Sequence, residues 1–404
     1  MPIFLSVSIV SAIIWVYLLL FRGQFWRTDQ HLEADDTDIS NHSNAQLNSA
    51  PSVCVVIPAR NEADVLHTTL RSLFTQDYDG QLDVLVVDDH STDGTGDIAT
   101  QTVQELGQLE HFQLYSAEPL PPGWTGKLWA LEQGTQQVMR RSPVPTYIFL
   151  SDADIEHDRQ NVTRLVTKSQ VQALDLASVM VRLRCESLAE QWLIPAFVFF
   201  FQKLYPFRWV NRPNRKTAAA AGGCVLIRTS ALQRIGGIAS IRDALIDDCT
   251  LAQHVKHGDV KPGRITTGHP IWLGLSSKTR SLRPYPTLKT IWDMVARTAY
   301  TQLNYSPLLL VGTLIGMSIV YLVGPLSLLW GLSHGELIIA TVGALTWTLM
   351  AIAYYPMVTF YQCSPLYCLM LPVIAFLYTL MTLDSAIRHW RGQGGAWKGR
   401  TYST

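Results

Sequence analysis

Between Ser306 and Leu383 the chain has no lysine or arginine and one acidic residue, Glu336. That absence excludes the solvated, charged face that an ordinary surface helix presents to water. Charge excess of either sign is also missing: 32 Lys and Arg balance 32 Asp and Glu. With no basic surplus there is no global electrostatic footprint for nucleic acid, and no nucleic-acid partner is expected. The six cysteines form no C-x-x-C pair and have no histidine at zinc spacing, which excludes a zinc module and a dithiol redox motif. They read as free thiols, compatible with a reducing compartment. No basic residue precedes the first apolar run, which excludes the n-region of a cleaved signal peptide.

What is present divides the chain. Residues 2–21, PIFLSVSIVSAIIWVYLLLF, are uncharged and long enough to cross a hydrocarbon core of about 30 Å as a helix. Arg22 and Arg27 follow, so the positive-inside rule predicts a transmembrane anchor over residues 1–22 with the chain entering the cytoplasm after it. Residues 23–51 are polar and acidic and predict a flexible linker. A mixed, soluble-looking stretch follows at 52–300. Residues 305–387 hold three further apolar runs, about 306–332, 337–359 and 365–383, each long enough to span. Gly312, Gly316 and Gly324 suit close helix packing, and Pro325 suggests a kink. Twelve Trp and fifteen Tyr, many at the edges of apolar runs, suit a bilayer interface. The expected location is the inner membrane, multi-pass, with the soluble domain in the cytoplasm. One conflict stands. Three full crossings would put residues 388–404 outside, whereas the basic tail with Arg388, Arg391, Lys398 and Arg400 favours the inside. Either one segment is re-entrant, the first run is split, or the charge rule is breached. Residues 189–210, aromatic and interrupted by Pro195 and Pro206, predict a helix lying in the interface with Lys203, Arg208 and Arg212 towards headgroups. A buried helix beside the sheet is the alternative.

From Val53 short apolar runs alternate with helical periodicity. Strands are expected at Val53–Ala59, Leu82–Asp89, Phe112–Ser116 and Thr146–Ser151, with helices at Ala63–Gln76, Gly94–Leu106 and Leu128–Met139. Continuous Val/Ile/Leu runs separated by helices predict an α/β fold with a mostly parallel sheet covered on both faces. Ligands of such sheets bind beyond the carboxyl ends of the strands, where this chain places its carboxylates.

Pro58-Ala59-Arg60-Asn61-Glu62 leaves the first strand; its polar residues face the crevice, or Asn61 simply caps the next helix. Asp88 and Asp89 end the second strand, where a carboxylate can accept hydrogen bonds from a nucleobase or ribose. Their mutual repulsion needs compensation, while Ser91 and Asp93 read as helix caps. Asp152 and Asp154 follow the fourth strand, and alternation points both to one side, able to grip one divalent cation such as Mg2+ or Mn2+. A surface acidic turn has the same spacing. Asp247 and Asp248 open a helix, whose dipole alone favours them; a sugar hydroxyl attacking an anomeric carbon would need such a carboxylate as its base. Lys127, in Trp124-Thr125-Gly126-Lys127, is a phosphate-binding point charge or a solvated lysine. Ala218–Gly223 allows close ligand approach or tight packing.

Taken in order, PARNE, VDDHSTDGT, WTGK, SDAD and IDDCTLAQHVKHGD resemble the family 2 glycosyltransferases of the GT-A fold. The anchor and C-terminal apolar runs look most like the hopene-associated glycosyltransferase subgroup, which is close to the ceramide glucosyltransferases. The resemblance implies a GT-A, Rossmann-like catalytic domain, a nucleotide-diphospho-sugar donor such as a UDP-sugar, and inversion at the anomeric carbon. It implies that Pro58, Glu62, Asp88 and Asp89 surround the nucleoside with Lys127 near it. It also implies that Asp152 and Asp154 are the metal-binding D-x-D, and that Asp248 is the base with Asp247 in the place of the family's glutamate. Membrane synthases of the family carry Q-x-x-R-W after the base; here Trp292–Thr298 keeps only Arg297, which is left to aid the diphosphate. That departure favours a single addition over processive synthesis. The expected partners are a sugar-nucleotide donor, a lipid acceptor and the membrane, with a role in hopanoid or other glycolipid synthesis. A ceramide- or polyprenol-type glycolipid synthase is the alternative enzyme, and a non-catalytic sugar-nucleotide-binding scaffold the alternative of another class. The pattern carries no signal for oligomeric state.

Overall fold

The computed structural model of the chain describes residues 2–33, 50–258, 269–392, 396–397 and 400–401. The first apolar run is a helix, α1 (Pro2–Phe21). The soluble part opens with the expected alternation: β1 (Val53–Ala59), α2 (Ala63–Phe74), β2 (Leu82–Asp88), α3 (Thr95–Glu105), β3 (Phe112–Ser116), α4 (Gly126–Met139) and β4 (Tyr147–Ser151). β1 and β4 are buried along their whole lengths, which is why they read as unbroken apolar runs. Gly134 lets α4 lie directly on the sheet, since a Cβ there would sit 2.5 Å from Val56 and 2.9 Å from Val87.

The chain then adds β5 (Ile155–Glu156), α5 (Asn161–Val171), β6 (Leu176–Arg182), α6 (Leu188–Leu204), α7 (Phe207–Val210), β7 (Cys224–Arg228), α8 (Thr229–Arg234), α9 (Asp247–His257), β8 (Ile271–Ser281) and α10 (Leu288–Ala296). The sheet order is β3-β2-β1-β4-β7-β6-β8-β5. β3, β2, β1 and β4 are parallel neighbours, but β7 runs antiparallel to both β4 and β6. The sheet is therefore mixed. Two reversals cancel, so β6 and its parallel neighbour β8 run the same way as β4. The carboxyl ends of β1, β2, β4 and β8, and the start of β7, consequently lie on one edge.

Two expectations about the flanks are corrected by packing. Residues 23–33, read as linker, are docked: Phe25 and Leu32 are buried, the Leu32 N–H donates to the Leu275 carbonyl (2.9 Å), and the Leu275 N–H donates to that of Gln30 (2.7 Å). Two large apolar side chains in a polar stretch anchor it beside β8. Residues 34–49 of that linker lie outside the described residues. The stretch 189–210 is mostly α6, with Leu193, Ile194, Val198 and Phe199 buried. Two of its three expected headgroup residues are taken internally: Lys203 donates to the Tyr321 hydroxyl (2.9 Å) and Arg208 pairs with Asp29, while Arg212 stays exposed. The reason is that the C-terminal helices cover the face that was expected to meet lipid.

Four helices among the described residues are long and apolar enough to cross a membrane: Ile3–Phe21, Pro307–His334, Leu337–Phe360 and Pro365–Trp390. In the second, α11 (Pro307–Met317) and α12 (Val323–His334) are joined by a π-helical turn at Ser318–Leu322, just ahead of Pro325, which has no N–H to give. Carbonyls that lose their ladder partner in an apolar setting must find another donor. Here α1 supplies it: Ser11 Oγ donates to the Ile319 carbonyl (2.8 Å) and Trp15 Nε1 to that of Val320 (2.6 Å). α12 packs closely on α13 (Leu337–Phe360) through glycine, a Cβ at Gly331 meeting Ala340 N at 2.5 Å and one at Gly343 meeting Leu328 N at 2.4 Å. Gly324 also lies in this contact, whereas Gly312 and Gly316 face open space.

The last apolar helix, α14 (Leu371–Trp390), bears on the orientation conflict. Tyr367, just ahead of it, donates to Gln191 of α6 (3.3 Å), and Tyr378 donates to the Leu193 carbonyl (2.8 Å). Further on, Ser385 accepts from the Tyr300 N–H (3.0 Å) and Arg388 donates to Asp293 of α10 (2.8 Å). This apolar segment is thus bonded to α6, to Tyr300 and to α10 along its length. α14 is nonetheless one of the four described helices long and apolar enough to cross. In a cysteine-free background, Ser333→Cys in the α12–α13 turn is expected to react with an impermeant thiol reagent from the side opposite to Glu110→Cys. Arg391→Cys should react from the same side as Glu110→Cys; its labelling together with Ser333→Cys would show that α14 crosses.

Candidate active site

The exits of β1 and β2 are stitched together. The Asn61 N–H donates to Ser91 Oγ (3.0 Å), the Glu62 N–H to Thr95 Oγ1 (2.9 Å) and the Ala63 N–H to Asp93 Oδ2 (3.1 Å). Ser91 and Asp93 thus serve the first turn of α2, and Asp93 Oδ1 also accepts from the Thr95 N–H at the start of α3 (3.1 Å). Asn61 takes a positive φ of 51°, tolerable for Asn, and its Oδ1 accepts from the Thr92 N–H (2.8 Å). Of the adjacent aspartates, Asp89 is turned inwards, 1% exposed, with Arg60 3.7 Å from its carboxylate. Asp88 is half-buried at the edge, its Oδ1 accepting from the Ser91 N–H (3.0 Å).

One cavity of about 880 Å³ lies along this edge, and Pro58, Glu62, Lys127, Asp152, Asp154, Asp247, Asp248 and Arg297 all line it. Asp88 and Asp89 do not form part of its wall. The turn at residues 152–154 ends the strand alternation, so Asp152 and Asp154 part company. Asp152 lies 2.8 Å from Lys127 Nζ, which is also 3.7 Å from Asp247. Asp154 is buried and bonds Arg283 Nε (2.7 Å), while Arg283 Nη2 reaches Glu62 (2.9 Å). Burial works against charge on Lys127, but the carboxylates of Asp152 and Asp247 outweigh it and raise its pKa above the ordinary lysine range.

At the start of α9 both oxygens of Asp248 are held, Oδ2 by the Gly222 N–H (2.9 Å) and Oδ1 by the Cys249 N–H (2.7 Å). Burial first, then the charge of Asp247, pushes its carboxyl up to about 6. Gly222 sits close in: a Cβ there would be 3.4 Å from both Asp248 Cβ and Lys127 Nζ. Small residues at 218–223 therefore admit the backbone to the carboxylates.

Behind the D-x-D turn, Asn161 and Ser151 hold the buried His157 at 3.1 and 2.9 Å. Burial lowers its pKa to about 3, so the ring is neutral. Asn161 donating to Nδ1 leaves the Nε2–H for Ser151 Oγ, which donates onward to the Asp152 carbonyl (3.0 Å). This chain fixes the turn that carries Asp152. Reasoning from sequence missed His157 and Arg283. Arg283 follows β8, and recognising 271–281 as a strand parallel to the others would have put it on the ligand edge.

Among the described residues no three His, Cys, Asp or Glu side chains gather as a metal cage. The donor set still fits a hard cation of the Mg2+ or Mn2+ kind. Asp152 offers oxygen and is partly exposed in the cavity, and such ions are commonly held by one or two carboxylates together with phosphate oxygens.

Residues 54–236 match the pattern of Glycosyl transferase family 2, and the chain accordingly carries a glycosyltransferase family 2 domain. Probable glycosyltransferase YdaM of Bacillus subtilis (strain 168) is 26% identical over 239 residues, 58% of this chain and 53% of that protein. The chain thus matches about half the length of this curated relative. The fold is similar to that of mannosyltransferase PcManGT from Pyrobaculum calidifontis, solved in complex with GDP-Man and Mn2+. The TM-score is 0.54 at 16% identity, covering 96% of this chain and 99% of the other. The architecture is GT-A-like, a mixed-sheet α/β domain with apolar helices attached, and the domain is that of a transferase.

Lys127 is the compensating charge for Asp152, Asp247 and Asp248. Its removal takes away the charge that holds the raised Asp248 pKa down, so that pKa rises further and stability should be lost as pH rises through it and recovered below it. Lys127→Met is expected to cost about 1–3 kcal/mol at pH 8 and clearly less at pH 5, read as the melting temperature against pH. An equal loss at both pH values would remove Lys127 from this role.

Proposed function

We propose that the chain transfers a sugar from a nucleotide-diphospho-sugar, a UDP-sugar first among the candidates, to the hydroxyl of a membrane lipid, with inversion at the anomeric carbon. The observation that carries this reading is the composition of one cavity. Its wall joins the carboxylates at the sheet edge to Phe197 and Phe201 of α6, Met294 of α10 and Arg388 of α14. A polar donor end and an apolar acceptor end beside the apolar helices share one space, as attack by a lipid hydroxyl requires.

Asp248 is the proposed general base. Its two backbone hydrogen bonds fix the carboxylate, and its raised pKa suits proton acceptance near neutral pH. Asp247 raises that basicity through its charge. Asp152, with Asp154 behind it, would hold a divalent cation, which when bound neutralises charge on the diphosphate leaving group. Lys127 stands beside Asp152 and aids the same group. Pro58 and Glu62 line the donor end, Asp88 and Asp89 are assigned to the nucleoside side of the edge, and the exposed Arg297, on the cavity wall, to the diphosphate. Both anchor and catalytic domain are read as belonging to the inner membrane, the domain on its cytoplasmic face. A hopanoid or related polyisoprenoid is the proposed acceptor, with a ceramide- or polyprenol-type lipid as the alternative. A non-catalytic scaffold has no need of a basic carboxylate braced by two N–H donors.

Membranes containing the chain are expected to move label from UDP-sugars into extractable lipid when Mg2+ or Mn2+ is present. Absence of both lipid product and donor hydrolysis across UDP- and GDP-sugars would favour the scaffold. Asp248→Asn should lower turnover about 10²–10⁴-fold while donor affinity holds; retained turnover takes the base role from Asp248.

Activity should also fall as pH is lowered through about 6, because the base is then protonated. Asp247→Asn removes the like charge that raises the Asp248 pKa, so in that variant the acid limb of kcat/KM should move to lower pH. A limb unmoved, or moved upward, would show that Asp247 does not act on Asp248 through charge.

A further inference from the structure

A second charged surface, none of whose residues lines the cavity, gathers where α1 ends. Gly23, with φ +65°, follows the helix, and a Cβ there would sit 2.8 Å from Pro206 and 2.9 Å from Trp209 Nε1. The end of α1 is thereby locked against α7, which sets the depth of Trp209 relative to the apolar helix. The Arg22 guanidinium lies 5.0 Å from the centre of the Trp209 ring and Arg215 lies 5.3 Å from it. Arg22 also donates to the carbonyls of Lys203 (3.3 Å) and Leu204 (3.4 Å). Arg212, Arg215 and Lys216 are exposed.

The described carboxylate at this surface, Asp29, is already taken by Arg27 (3.2 Å) and Arg208. Among the described residues no carboxylate pairs with Arg22, Arg212, Arg215 or Lys216. Two cations thus share the Trp209 ring and two more stand exposed beside it in sequence, none paired with a carboxylate among the described residues, at the level where an apolar helix stops. Exposed Tyr17, Phe21 and Leu204 adjoin them with apolar surface. Guanidinium forks match phosphate oxygens bidentately, and an indole suits the boundary between headgroup and acyl chain.

We propose that the Trp209 surface, formed by Arg22, Arg212, Arg215 and Lys216, is a binding site for the phosphate headgroup of an anionic membrane lipid. It rests on the reading of α1 as a membrane span and is independent of the reaction. Charge selects the lipid class, and the fixed depth of Trp209 selects a headgroup held in a bilayer over a soluble phosphate.

The test is native mass spectrometry of the detergent-purified full chain, titrated with phosphatidylglycerol or phosphatidylcholine. Phosphatidylglycerol is expected to bind about tenfold more tightly, with the preference shrinking as salt is raised. Arg22→Gln with Arg215→Gln should abolish the preference. Arg212→Gln with Lys216→Gln, which removes neither Arg22's carbonyl bonds nor the contacts on Trp209, should reduce it by a similar factor. Lys278→Gln with Arg280→Gln should leave it intact. Wild type without a preference, a preference surviving both first variants, or millimolar inorganic phosphate competing as well as the lipid would overturn the proposal. Binding seen only after deletion of residues 34–49, which carry Asp35, Asp36 and Asp38, would assign the surface to that segment instead. Resistance of the chain to carbonate extraction from membranes tests the span separately.

Discussion

Five carboxylates, Glu62, Asp152, Asp154, Asp247 and Asp248, share one cavity wall, and Lys127 and Arg283 make that concentration of charge tolerable. Each cation ties together elements that the sheet alone would leave adjacent but unconnected. Lys127 joins the start of α4 to the end of β4 and the start of α9. Arg283 joins the end of β8 to the exits of β1 and β4. Lys127 sits in the first turn of its helix, where the dipole disfavours a cation; the acidic neighbours override that local preference. The site is therefore poised: an incoming anionic group finds cations that are present but already engaged, and a divalent cation finds carboxylates that are present but already paired.

The apolar helices obey a different constraint, the need to satisfy backbone groups where water is absent. The π-helical turn before Pro325 frees carbonyls that Ser11 and Trp15 take up, so the first and second apolar segments are joined by hydrogen bonds as well as by packing. α14 instead supplies side chains to groups outside it, Tyr378 to the Leu193 carbonyl, Ser385 to the Tyr300 N–H and Arg388 to Asp293. That arrangement brings α6, α10 and α14 to the cavity's apolar end. On the proposed reading, a lipid acceptor and a charged donor would meet there without either leaving its preferred environment.

Much of the first half of the domain was legible in sequence. β1, β2 and β4 carry continuous apolar runs because both sheet faces are covered there, while β3 is a largely exposed edge strand, and the helices between them show their own period. The motif residues duly arrive at the carboxyl edge. Legibility failed where partners come from afar. β7 reverses the sheet, yet nothing in Cys224–Arg228 announces direction, since a buried strand looks alike in either sense. The D-x-D pair looked like a two-pronged grip because alternation was extended past Ser151, where a turn had already begun. Phe25 and Leu32 were hidden in a polar stretch, and the depth of α6 was hidden because lipid and protein interiors demand the same residues.

By itself the sequence determined the chemistry available, the order of the motifs and the fact that carboxylates stand at strand ends, because periodicity and composition are local properties. Only the tertiary structure decided who pairs with whom. Arg283 reaches Glu62 across 221 residues of chain and Asp154 across 129, and no local pattern encodes a contact made at that separation. It also bonded the last apolar helix to α6 and α10 through Tyr378 and Arg388. Apolar length permits a crossing but encodes none of those partners.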